Sequence, residues 1–137
     1  MSLRYLLDTN ICIYVAKHNP PAVRQRFERH TARELAMSVV TYGELRFGAE
    51  RSQQPERAME RLEHLSRLID VVPLPIQAGV HYGQIRADLQ QRGCAIGGND
   101  LWLAAHARAE GWVLVTNNGR EFQRVTDLRI ENWVGTS

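Results

Sequence analysis

Short apolar runs alternate with longer segments of helical periodicity along the whole chain, and that alternation leaves few folds open. Runs of strand character cover residues 3–7, 35–38, 71–74, 112–116 and 128–133. Between them, helical patterns cover 9–17, 21–30, 40–50, 55–68, 76–91 and 100–110, and a short further element begins at Glu121-Phe122. In the clearest helix, Met59, Leu62, Leu65, Leu68 and Ile69 form one stripe, with charges such as Glu56, Glu60 and Arg67 on the other face. The 76–91 helix is expected to turn Val80, Ile85 and Leu89 inward and to close at Arg92-Gly93. Gly97-Gly98 breaks the chain, Asn99 is expected to cap the next helix, and Gly111 to stop it. Strands alternating with helices require right-handed crossovers, which put the strands in parallel and cover both faces of the sheet. The predicted fold is therefore α/β: a three-layer α/β/α sandwich with a mostly parallel sheet of four or five short strands. No linker, repeat or low-complexity segment divides residues 1–137, so one domain is expected.

The remaining global features exclude more than they suggest. A hydrophobic content of 44% and a charged content of 23% are ordinary for a globular protein, and no apolar run approaches a bilayer span of about 20 residues. The N-terminus carries no basic region leading into an apolar stretch and a small-residue cleavage site, so no signal peptide is expected. Cys12 and Cys94 fit no zinc or disulfide spacing, which suits reduced cysteines and a cytoplasmic location. A net charge of +2 is too small to argue for a nucleic-acid partner. Arginine supplies all but one of the 17 basic residues and offers a fork suited to phosphates. A GC-rich genome encodes the same bias.

Three carboxylates stand out because each is alone. Asp8 ends the first apolar run and is the only charge between Arg4 and Lys17. Glu44 closes the charge-free stretch 35–43, and Asp100 is the sole charge between Arg92 and Arg108. Each has an ordinary explanation. Asp8 or Thr9 can cap a helix, Asp100 can sit in a first turn favoured by the helix dipole, and Glu44 can pair with Arg46 or Arg86. One hypothesis covers all three: an oxygen-only acidic cluster holding a hard divalent cation at the ends of central strands. After the strong run 113–115, the segment from Thr116 through Asn118 to Glu121 and Phe122 adds a hydroxyl, an amide and a fourth carboxylate. Thr116 and Asn118 are the natural supporting groups there. No GxGxxG, P-loop, GxSxG, HxxxH or CxxC pattern is present, and Asn10 stands where an aspartyl phosphatase would want its second acid. His106, on an apolar helix, reads as a packed residue rather than a base.

The blocks Leu7-Asp8-Thr9-Asn10, Thr41-Tyr42-Gly43-Glu44-Leu45, Ile96-Gly97-Gly98-Asn99-Asp100-Leu101 and Val115-Thr116-Asn117-Asn118-Gly119-Arg120-Glu121-Phe122 occur in that order. Together they resemble a PIN domain, and more closely the VapC-type toxins of toxin–antitoxin pairs. The resemblance implies an endoribonuclease dependent on Mg2+, with Mn2+ able to substitute. It implies metal binding by acids at Asp8, Glu44 and Asp100, with Thr9 in support, and a fourth carboxylate from the last block. Many PIN domains carry aspartate where Asn118 stands; Glu121 is the substitute in relatives with this NNxREF form. The resemblance further implies a homodimer, a small cognate antitoxin and a structured RNA substrate, foremost the anticodon stem-loop of initiator tRNA. Arg46, Arg86 and Arg120 are the arginines placed to hold flanking phosphates. The competing readings are a non-catalytic PIN-like binding module and a metal-dependent phosphohydrolase of small molecules.

Overall fold

The computed structural model describes residues 3–135. Its elements in chain order are β1 (Tyr5–Leu7), α1 (Thr9–Lys17), α2 (Pro21–Phe27), β2 (Leu35–Ser38), α3 (Val39–Glu50), α4 (Pro55–Leu68), β3 (Asp70–Val72), α5 (Ile76–Gln91), α6 (Gly98–Glu110), β4 (Val113–Val115), α7 (Gly119–Phe122) and β5 (Ile130–Glu131). A single 3-10 turn, Ala32–Glu34, precedes β2. The five strands form one sheet in the order β3-β2-β1-β4-β5, and every pairing is parallel.

Strand parity builds the two cores. Successive side chains of a strand point to opposite faces. Leu6, Ala36 and Leu114 accordingly meet Ile85, Leu89, Leu103 and Ala104 of α5 and α6 on one face. Leu7, Leu35, Met37 and Val115 meet Ile11, Val15, Val23, Leu65 and Trp133 on the other. A sheet covered on both sides needs apolar residues at every strand position, which is why these strands read as runs rather than alternations. Helices end where expected: Gly111 adopts φ +73° at the C-cap of α6, and Gly93, at φ +68°, follows the C-cap of α5.

The differences from expectation are local. β3 begins at Asp70 and stops at Val72, because Pro73 cannot donate to a ladder. β5 has only two residues, α2 stops at Phe27, and β1 and β4 are each trimmed to three residues. Val80 does not face inward: it is 49% exposed, while Ala78, Ile85 and Leu89 carry the buried face of α5. Asn99 does not cap α6; Gly97 occupies that position with no side-chain bond, leaving Asn99 exposed in the first turn.

Chain order decides where a site forms. From β1 the chain moves to β2 and β3 on one side, then crosses to β4 on the other. Such a reversal opens a crevice at the C-terminal ends of β1 and β4.

Candidate metal centre

The solitary carboxylates of the sequence gather at that crevice. Asp8 follows β1 directly, with its backbone N–H donating to the Val115 carbonyl at 3.0 Å. It is also the N-cap of α1: its Oδ1 accepts the Ile11 N–H at 3.0 Å. The expected cap is thus present, in a side chain that is only 7% exposed. Glu44 is brought in from α3, and neither Arg46 nor Arg86 pairs with it. Its Oε1 accepts the Thr9 hydroxyl at 2.8 Å, while Arg46 is bound to Glu50 at 2.9 Å and Arg86 donates to the Tyr82 hydroxyl at 2.9 Å. Asp100 lies in the first turn of α6.

The segment after β4 supplies a braced fourth acid. The Asn118 N–H donates to Thr116 Oγ1 at 2.9 Å, and the Asn118 side-chain amide donates to Glu121 Oε2 at 2.8 Å. The buried Thr116 hydroxyl in turn hydrogen-bonds Asp8. Asn118 thus holds a carboxylate in place of supplying one. Arg120 is exposed and has no acid partner among the described residues.

Electrostatics tie the four acids into one group. Burial pushes the Asp100 carboxyl up to about 6, and Glu121, Asp8 and Glu44 push in the same direction, with a Glu121 hydrogen bond favouring the protonated form. Asp8 is also raised, chiefly by burial and secondarily by the Glu44 charge, against the Thr116 hydroxyl and the Ile11 and Asn10 amides. The side chains stand within electrostatic reach but do not close on one point. Among the described residues, no three Asp, Glu, His or Cys groups come together as a ligand set. The donor set is all oxygen, negatively charged and self-repelling, with no cation of the chain inside it. That chemistry fits a hard divalent ion.

The glycines beside Asp100 need no special backbone angle. A Cβ at Gly97 would lie 4.0 Å from Asp100 Oδ2, an ordinary contact, so neither space nor backbone angle demands glycine there. His106 is packed, as its apolar helix implies, with Nδ1 2.9 Å from Ser38 Oγ, and burial pushes it down to about 4. Its Nε2 and the Thr41 hydroxyl are buried without a partner. Sequence reasoning missed the aromatic pair Tyr82 and Trp102, stacked at 4.0 Å beside the site, because the two sit on different helices.

An α/β/α sandwich that collects lone carboxylates at the β1/β4 crevice is the architecture of a metal-dependent nuclease fold. Residues 5–128 match the family model described as PIN domain. The tRNA(fMet)-specific endonuclease VapC of Shigella flexneri is 46% identical over 131 residues, covering 96% of this chain and 98% of that protein. Ribonuclease VapC2 of Haemophilus influenzae is 45% identical, covering 96% and 99%. The crystal structure of DNA-bound VapBC from Salmonella typhimurium superposes with a TM-score of 0.90 at 41% identity, covering 96% and 99%. The chain belongs to the PIN domain family and, within it, to the VapC-type toxin ribonucleases.

Proposed function

We propose that this protein is a divalent-metal endoribonuclease of a toxin–antitoxin pair, and that Asp8, Glu44, Asp100 and Glu121 form its catalytic acid cluster. The observation that carries this is the shared field at Asp100, whose carboxyl is raised to about 6 by burial and by the other three acids. Asp8, Glu44 and Asp100 would hold Mg2+, with Mn2+ able to replace it. When bound, the ion supplies charge neutralisation for the phosphodiester and water of lowered pKa. Glu44, steadied by Thr9, and Asp100 orient the attacking water. Asn118 and Thr116 keep Glu121 and Asp8 in position. Arg120, not paired with an acid among the described residues, would hold flanking phosphates, Arg86 would meet the RNA from beside Tyr82, and Arg46, tied to Glu50, contributes less.

The substrate reading is a structured RNA, with the initiator tRNA anticodon stem-loop foremost. The relatives named tRNA(fMet)-specific endonuclease VapC, in Shigella flexneri and Salmonella typhimurium, support it. VapBC complexes among the similar structures support a small cognate antitoxin. Two free cysteines, one of them buried, suit a reducing cytoplasm, and no described helix is long and apolar enough to cross a membrane. The single-domain reading of the chain is supported by both cores sharing the same sheet among the described residues.

The test incubates purified protein, freed of antitoxin, with total RNA and either Mg2+ or Mn2+, and sequences the cut ends. Discrete cuts that a chelator abolishes are expected. Cleavage that persists in chelator would rule out the metal mechanism.

A homodimer is also proposed, with exposed apolar side chains of α3 and α5 as candidate contacts. Val39 and Phe47 of α3 are 43% and 64% exposed, and Ile76 and Val80 of α5 are 92% and 49% exposed. The double variant Phe47→Glu, Ile76→Glu should run at monomer mass in light scattering while the parent runs at dimer mass. A parent that is monomeric at micromolar concentration would refute the dimer.

A further inference from the structure

We propose that the cleft between the C-terminal half of α5 and the start of α6 is a nucleobase subsite, taking the base next to the cut phosphate. It rests on the ribonuclease reading above. The cleft is lined by Tyr82, Arg86, Leu89, Gln90, Ile96 and Leu101. Gly98 and Leu101 of its wall lie within two residues of Asp100 on the first turn of α6, which ties the cleft to the element that carries that acid. Its volume of about 170 Å³ is below the roughly 300 Å³ at which sites for drug-sized ligands begin, and it suits one planar ring system.

The lining chemistry matches such a ring. Leu89, Ile96 and Leu101 give an apolar floor for the flat faces. Tyr82 enters the wall held in place by packing: Trp102, outside the lining, stacks on its ring at 4.0 Å and 21°, and the Arg86 guanidinium carbon is 5.9 Å from the Tyr82 ring centre. The Tyr82 hydroxyl accepts from Arg86 Nη1 at 2.9 Å, which holds the guanidinium at the lip of the cleft without an ion pair. Arg86 has no carboxylate partner among the described residues, although α5 and its surroundings carry acids, and its remaining N–H groups stay available to a base edge. Gln90 adds an amide that both donates and accepts at the same lip. Flat aromatic and guanidinium surfaces with a few polar groups at the edge are how single-stranded RNA bases are bound.

The test combines nucleotide binding with cleavage. The four ribonucleoside 5′-monophosphates are titrated into the full chain while the Trp102 indole N–H signal is followed by NMR. At least one should shift that signal, and Arg86→Gln or Gln90→Ala should weaken its binding. In cleavage of the oligoribonucleotide the parent cuts, Arg86→Gln should raise KM about five- to tenfold, as loss of one base contact implies, with kcat within about twofold. It should also flatten the nucleotide preference at one position beside the cut. A parent that cuts RNA while both variants keep its KM and preference overturns the subsite. So does a variant that weakens only antitoxin binding. A parent that cuts no RNA but binds a monophosphate in an Arg86-dependent way retires the ribonuclease reading and leaves the subsite standing.

Discussion

Asp8→Asn should abolish metal-dependent RNA cleavage, by about a thousandfold or more, while leaving the fold intact. Loss of a ligand from a metal-bound transition state removes several kcal/mol of stabilisation, and each 1.36 kcal/mol is tenfold in rate. Asparagine caps a helix about as well as aspartate, so the bond from the Ile11 N–H to the side chain survives. It also removes a carboxylate that burial and Glu44 already disfavour. The melting temperature of the metal-free variant should therefore match or exceed the parent's. Asp8→Ala should lose the same activity and, in addition, about 1 kcal/mol of stability with the cap. Calorimetry beside the cleavage assay separates the two roles. Full activity in Asp8→Asn would reduce Asp8 to a helix cap and sink the assignment.

A divalent cation should stabilise the protein strongly at pH 7.5 and hardly at all at pH 5. Asp100 sits at about 6 in the fold against an ordinary 3.8. A carboxyl raised by folding favours the folded state at low pH, and that contribution is lost as pH rises from about 4 through 6. Above about 6 the ionised Asp100 adds its charge to a buried acidic site, and a bound cation relieves the repulsion. Below 6 the ion must displace a proton from Asp100. About 10 mM Mg2+ should raise the melting temperature by several degrees at pH 7.5, following the mass-action law for ligands of the native state. His106 works in the opposite sense. It is lowered to about 4 by burial, so its contribution is present above 6.5 and lost as pH falls. Asp100→Asn should therefore remove the Asp100 part of the pH dependence and lose the cation's effect at every pH. A cation effect of equal size at pH 5 and 7.5 would contradict the site.

Much of this was visible in the residues because burial leaves a compositional mark. A strand covered on both faces must be apolar throughout, so 35–38 and 113–115 announced a central parallel sheet. A carboxylate without neighbouring charges is equally conspicuous, and Asp8, Glu44 and Asp100 were found that way. Glu121 was the least legible of the four, since Arg120 and Arg124 flank it in sequence. The fold points Arg124 at the carbonyls of Cys94 and Ala95 and leaves Glu121 to Asn118 and Asp100. Val80 misled for a physical reason: an apolar residue on a helix signals burial, whether by the chain itself or by a partner. Asn99 misled because glycine at Gly97 reaches the capping geometry with no side chain at all. The Tyr82–Trp102 stack leaves no local trace, since only tertiary packing joins the two helices.

The four acids enter from positions 8, 44, 100 and 121, and β1, which carries the first, pairs on one side with β2 and on the other with β4. No early stretch of the chain can therefore assemble the cutting centre. A nascent or truncated polypeptide lacking β4 has its first acid beside an unpaired strand and its last acid missing. On the proposed assignment of these acids, cleavage has to wait until nearly all of the chain has been made.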